Sequence, residues 1–140
     1  MERRRNVVPK KIEFSFPGKG IAIEAELNDN SLSEEIFRVL PVEARVNRWG
    51  KEIYFTIPLR SSIISPQEVV EEGDIAYWPD GACLCIFFGP TPVSKGKEIR
   101  PASAVEVVGK VLSPWNILDE IPEGSIVKVS QFDRKGVDRE

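Results

Sequence analysis

Few side chains in this chain could do chemistry on a bound molecule. Histidine is absent, so the usual general base near neutral pH is missing. No serine, lysine or carboxylate stands at the spacing of a catalytic triad or of a phosphate-cradling loop. What remains is one forked cation, Arg48, followed by Trp49, with Glu52 and Tyr54 shortly after. Further aromatic groups stand at Tyr77-Trp78-Pro79 and at Phe87-Phe88, the latter running into Gly89-Pro90-Thr91-Pro92. Aromatic walls around a few polar groups are the make-up of a pocket for a compact, mainly apolar group. By strand parity Tyr54, Trp78 and Phe87 lie on or near one outward face, and Glu52 shares that face with Tyr54. The simpler reading of Arg48 and Glu52 is an ion pair across a turn, worth under about 1 kcal/mol when exposed. Trp78-Pro79 reads equally as a packed turn or as a pocket wall. The segment holding Thr91 reads as a rigid strand exit rather than a ligand clamp.

Two other groups invite a metal or redox reading and do not support it. Cys83 and Cys85 sit two apart in an extended run, which puts their Cα atoms about 6.5 to 7 Å apart, too far for easy disulfide geometry. With no histidine and no further cysteine to complete four ligands, a zinc site is not expected, and both read as buried free thiols. Glu71, Glu72 and Asp74 lack the remaining pattern of a calcium loop and read as acids facing water. No metal and no cofactor are expected.

The bulk numbers fit one globular domain spanning 1–140, with residues 1–9 and 133–140 as flexible tails. Of 140 residues, 41% are hydrophobic and 29% charged, which is the balance of an ordinary folded domain. A chain of this length buries roughly two thirds of its unfolded surface in one core. The longest apolar run, Ala82 to Phe88, is far short of the roughly 20 residues that span a bilayer. No apolar stretch follows Met1-Glu2-Arg3-Arg4-Arg5, so no secretory signal is read and the expected location is cytoplasmic. The net charge of −3 and the scatter of basic residues beyond Arg3, Arg4, Arg5, Lys10 and Lys11 exclude an electrostatic nucleic-acid face, and no membrane partner is expected. Few glutamines, a single methionine and many charged residues fit the composition of a thermophile's protein.

The elements that must position the aromatic face are mostly strands. Ile12, Phe14 and Phe16 alternate with polar residues, and after Pro17-Gly18-Lys19-Gly20 the rhythm resumes at Ile21, Ile23, Ala25 and Leu27, a hairpin with one wet face. Ser31 and Glu34 have capping-box spacing ahead of a stripe of Leu32, Ile36, Val39 and Leu40, giving a helix of about two turns before Pro41. Glu52 to Ile57 reads as a strand with Ile53, Phe55 and Ile57 inward. Ile75 to Trp78 and Ala82 to Phe88 pair, the second apolar on both faces: Leu84, Ile86 and Phe88 fill one side, while Cys83, Cys85 and Phe87 lie under a helix or loop. Val93 to Ser103 is a covering connection, and Ala104 to Leu112 returns to strand. Ser113 caps a short helical stretch from Trp115 to Ile121, and Ser125 to Phe132 is a last strand. Seven or eight short strands with two small helices predict a mainly β barrel and not alternating strands and helices.

In the order of these elements and in several runs the chain resembles cyclophilin. Ser33-Glu34-Glu35-Ile36-Phe37-Arg38-Val39-Leu40 resembles that family's first helix, Cys85-Ile86-Phe87-Phe88 its double-phenylalanine strand, and Val105-Glu106-Val107-Val108-Gly109-Lys110-Val111 its late strand. A closer resemblance is to small cyclophilin-like proteins of archaea and thermophilic bacteria. It is carried by Arg48-Trp49-Gly50, Glu52-Ile53-Tyr54-Phe55, Gly73-Asp74, Tyr77-Trp78-Pro79, Gly81 and Phe87-Phe88-Gly89-Pro90-Thr91-Pro92, and covers roughly residues 10 to 132.

The resemblance implies a closed eight-stranded cyclophilin-like β-barrel with one or two short helices and an outer binding groove. It does not carry the enzyme. The positions corresponding to the family's active-site histidine and tryptophan fall near Val105 and Arg100. If prolyl isomerisation survives, something must weaken the amide resonance that sets a barrier of about 18 to 20 kcal/mol. Arg48 is the candidate donor to the prolyl nitrogen, with Arg45 as second choice. The expected function is a module that binds a small molecule or a proline-containing, extended peptide through Arg48, Glu52, Tyr54, Trp78, Phe87 and Thr91, with little or no isomerase activity. A prolyl isomerase remodelled around Arg48, and a subunit or relative of the cyclophilin-like domains of amide-hydrolysing enzymes, are the alternatives. Self-association is compatible with each.

Overall fold

The computed structural model describes residues 9–132; the basic cluster Arg3–Arg5 and the last eight residues lie outside them. Strands β1 (Lys10–Phe16) and β2 (Ile21–Leu27) form the expected hairpin, with Ile12 opposite Ala25, Phe14 opposite Ile23 and Phe16 opposite Ile21. These apolar partners are buried, Ile21 at the hairpin end only partly, because alternation along paired strands sends every second side chain to one face. A 3-10 turn, Pro17–Lys19, joins them.

Helix α1 (Ser31–Val39) follows. Its cap is Asn30, not Ser31: the Asn30 side-chain oxygen accepts from Ser33 N–H at 2.8 Å, and asparagine is among the strongest caps. Leu32 and Ile36 are buried against the core, and the Ser33 hydroxyl donates to the Val108 carbonyl. The remaining strands are β3 (Val42–Arg45), β4 (Asn47–Arg48), β5 (Glu52–Thr56), β6 (Asp74–Trp78), β7 (Cys83–Phe87), β8 (Glu106–Val111) and β9 (Ile126–Gln131). A 3-10 segment, Trp115–Glu120, precedes β9. Ser113 does not cap it; its hydroxyl accepts from Glu24 N–H at 3.0 Å and ties the segment to β2.

The nine strands of the described residues join one antiparallel sheet in the order β3-β9-β1-β2-β8-β6-β7-β5-β4. The two outermost strands, β3 and β4, are separated in the chain by Val46 alone. One bent run, Val42 to Arg48, therefore pairs with β9 at its start and β5 at its end, which nearly closes the sheet into a barrel. The expectation of eight staves differs from the nine observed because this run breaks at Val46, where backbone bonds pass to Gly124 and Ser125.

The barrel interior is filled by a large cluster that includes Phe14, Phe55, Leu84, Ile86 and Phe88, with Phe14 and Phe55 meeting edge to face at 6.4 Å. A smaller cluster lies on the outer face of β6 and β7. There Ala76, Cys83, Cys85 and Phe87 pack with Val70, Ile99 and Val105, so the cover over this strand is made by loops and not by the helix.

Candidate functional site

On that outer face, Glu52 and Tyr54 of β5 stand on the same side of the strand, with Cys85 paired opposite Tyr54 and Phe87 opposite Glu52. Trp78 ends β6, and its ring meets Tyr54 at 6.2 Å and an interplanar angle of 79°. Trp49 joins them through the tight turn between β4 and β5, where it pairs by backbone hydrogen bonds with Glu52. Residues directly opposite in an antiparallel pair share a face, so this pairing brings an indole beside the carboxylate.

Pro101, Ala102 and Val105, from the connection into β8, complete a pocket of ≈ 260 Å³ lined otherwise by Trp49, Glu52, Tyr54 and Trp78. Polar bonds hold this wall in place. The Trp78 indole donates to the Ser103 hydroxyl at 2.7 Å, and Ser103 donates to Asp80 at 2.7 Å, so the β6–β7 turn and the covering loop grip the same ring. A Cβ on Gly81 would come within 2.7 Å of that ring, which explains the glycine.

Three acids are buried among the described residues, and two have evident structural work. Glu106 accepts from the Ile64 and Ser65 N–H groups and from Asn30. Asp74 accepts from Glu71 N–H and pairs with Lys110 at 3.1 Å. Glu52 is 6% exposed and has no cationic partner among the described residues; the weakly donating Cys85 thiol lies beside it. Burial penalises its charged form and pushes its pKa up to about 7, with Cys85 offsetting part of the effect. Burial likewise raises Tyr54, with Glu52 adding to the effect, and raises Cys85 well above the ordinary thiol range.

Of the residues expected at the site, Glu52, Tyr54 and Trp78 come together in the pocket. Phe87 lies on the same face but is wholly covered by the outer cluster. Thr91 is 6% exposed and staples the covering loop: its hydroxyl donates to the Arg100 carbonyl and its N–H to Ser94 Oγ. Arg48 sits elsewhere. It pairs with Ile53 and thus points to the opposite face from Tyr54, where it stacks over Phe88 at 5.3 Å. Its guanidinium donates to the Ile121 carbonyl at 2.8 Å, to the Gly50 carbonyl and to Asp119, and makes no pair with Glu52. Lys51 first and Arg48 second hold the Asp119 carboxyl below its usual range. Arg45 donates to the Gly124 carbonyl.

Sequence reasoning missed Trp49, Pro101, Ala102 and Val105. For Trp49 a signal existed, since Gly50-Lys51 is a two-residue turn with glycine in first place. For the loop residues there was none, because their placement depends on where a long connection lies.

A family model described as Cyclophilin-like matches residues 10–130. Among solved structures, a hypothetical protein from Archaeoglobus fulgidus, determined in solution, is 36% identical, with a TM-score of 0.74 over 89% of this chain and 96% of that one. No curated protein matches.

Proposed function

Because the chain belongs to the cyclophilin-like family, we propose that it is a binding module whose outer pocket takes a compact group of a small molecule or of an extended peptide, with little or no prolyl isomerase activity. The observation that carries this reading is the concave aromatic site of Trp49, Tyr54 and Trp78, which opens on a carboxyl the fold leaves without an ion-pair partner among the described residues. Burying a polar group without a partner costs free energy. A site that retains one, while Glu106 takes three hydrogen-bond donors and Asp74 pairs with Lys110, is arranged for a donor that arrives with a ligand.

Binding is favoured over catalysis centred on Arg48 because the guanidinium is engaged on the other face by Asp119 and two backbone carbonyls. Arg100, next to the pocket loop, is paired with Glu98 at 2.8 Å. No arginine or lysine lines the pocket among the described residues, so no such donor stands ready for a prolyl nitrogen.

A titration of short proline-containing peptides and small-molecule fragments, followed by amide resonances and by tryptophan emission, tests the reading. The expected result is perturbation focused on Trp49, Tyr54, Trp78, Ala102 and Val105, lost on Trp78→Leu. A prolyl-peptide isomerisation assay should show no acceleration. Acceleration that disappears with Arg48→Ala would replace this reading by the isomerase one.

A further inference from the structure

Resting on that reading, we propose that the pocket is a cage for a methylated ammonium group, with the rings of Trp49, Tyr54 and Trp78 around the cation and the Glu52 carboxylate as its counter-ion. Three aromatic side chains converge on one compact pocket of ≈ 260 Å³, and the near-perpendicular Tyr54 and Trp78 rings make a corner of it. Aromatic faces carry negative quadrupole potential and attract ammonium groups that have few hydrogen-bonding protons of their own; tryptophan does so most strongly. A purely apolar ligand would satisfy the rings but leave the Glu52 oxygens without a partner. A hydrogen-bonding neutral ligand would satisfy Glu52 but gain less from three rings. A methylated cation meets both.

The charges around the pocket point the same way. Facing Glu52 and Tyr54 are the Cys83 and Cys85 thiols of β7 and, more distantly, Glu123 ahead of β9. Trp49, Pro101, Ala102 and Val105 bring no titratable group. The cage is rigid before binding, because Ser103 and Asp80 hold the Trp78 indole and the Trp49–Glu52 backbone pairing holds the opposite wall. Rings already in place lower the ordering cost of binding.

The test compares choline with 3,3-dimethyl-1-butanol, its neutral isostere, and with a peptide carrying trimethyllysine, on the whole protein by tryptophan emission and amide resonances. Choline should bind at least about tenfold more tightly than the alcohol at pH 8. Its affinity should fall at least about fivefold at pH 5.5, where Glu52 is protonated. Glu52→Gln should remove both the preference and the pH dependence. A trimethyllysine peptide that binds more tightly than choline identifies a methylated protein tail as the source, and the reverse order a free small molecule; either supports the cage. Equal binding of choline and the alcohol overturns the cage and leaves the binding module standing. If neither cation produces a shift at the pocket resonances, the cage is overturned; if the peptide and fragment titration is also blank, so is the binding module.

Discussion

Trp49 and Glu52 are bonded to each other twice through their backbones, Trp49 N–H to the Glu52 carbonyl at 3.0 Å and Glu52 N–H to the Trp49 carbonyl at 3.2 Å. Only Gly50 and Lys51 lie between them, so the pair closes a two-residue hairpin. Gly50 at φ 61 supplies the left-handed first residue that such a turn demands. The closeness of indole and carboxylate is therefore a property of backbone pairing. It also explains why Arg48, one residue before Trp49, faces the other way and is taken up by Asp119 and Phe88.

The Glu52 carboxyl should make the fold less stable at higher pH. Its folded pKa, about 7, lies above the ordinary 4.5, so the stability of the protonated fold is fully present below pH 4.5 and is lost as pH rises through 7. The part lost between pH 5 and pH 8 is on the order of 2 to 3 kcal/mol. Urea denaturation at pH 5 and 8 should show wild type losing stability relative to Glu52→Gln by about this amount; parallel profiles would show that Glu52 ionises normally.

Arg48→Ala should act on stability. Removing the guanidinium takes a donor from the Ile121 and Gly50 carbonyls and leaves Lys51 as the cation beside Asp119 and Phe88, a loss of about 1 to 3 kcal/mol. Arg48→Lys should recover less than half, because an ammonium cannot fork to several acceptors. Thermal melts measure both, and a pocket-probe affinity changed by less than about twofold would separate this role from a binding one.

Gly50→Ala should be among the more damaging small substitutions. A Cβ there lies 2.9 Å from Pro92 Cδ, 3.0 Å from the Pro90 carbonyl and 3.1 Å from Thr91 Cα, at a φ that disfavours side chains. The expected cost is about 2 kcal/mol or more, with the Trp49 emission shifted. A melt within a degree of wild type would contradict it.

Thr91→Val keeps the shape and removes the hydroxyl that reaches the Arg100 carbonyl. A loss of about 1 kcal/mol is expected, and amide exchange should quicken through residues 94–103 while β6 and β7 stay protected.

Both thiols should resist modification in the folded protein. Burial raises Cys83 and raises Cys85 further, so little thiolate is present at pH 8. Alkylation should follow global unfolding in denaturant; rapid labelling of the native protein would refute the burial argument.

Much of the barrel was legible because its signals are local. Alternation in Ile12–Phe16, Ile21–Leu27 and Glu52–Ile57 marked strands and their inner faces, and the doubly apolar run at Cys83–Phe88 marked a strand covered on both sides, as observed. The sharing of one face by Glu52 and Tyr54 followed from the same period of two. Short strands β3 and β4 escaped notice, since Val42–Arg48 is too brief and too charged to show a pattern. The caps failed for a related reason: Asn30 and Ser31 are both good caps, and Ser113 was drawn to Glu24 by a neighbour distant in the chain.

Which side chains lie in and which lie out along each strand can be read from the residues alone, because pleating is a local property of extended backbone. That Val42–Arg48 bends to join both edges of the sheet, and that Arg48 answers to Asp119, came from the packing of distant segments. It alone brought Pro101, Ala102 and Val105 across β5 and β6 to roof the aromatic site. Those outcomes depend on which distant surfaces bury one another and which hydrogen bonds satisfy the long loops, and no period in the residues records either.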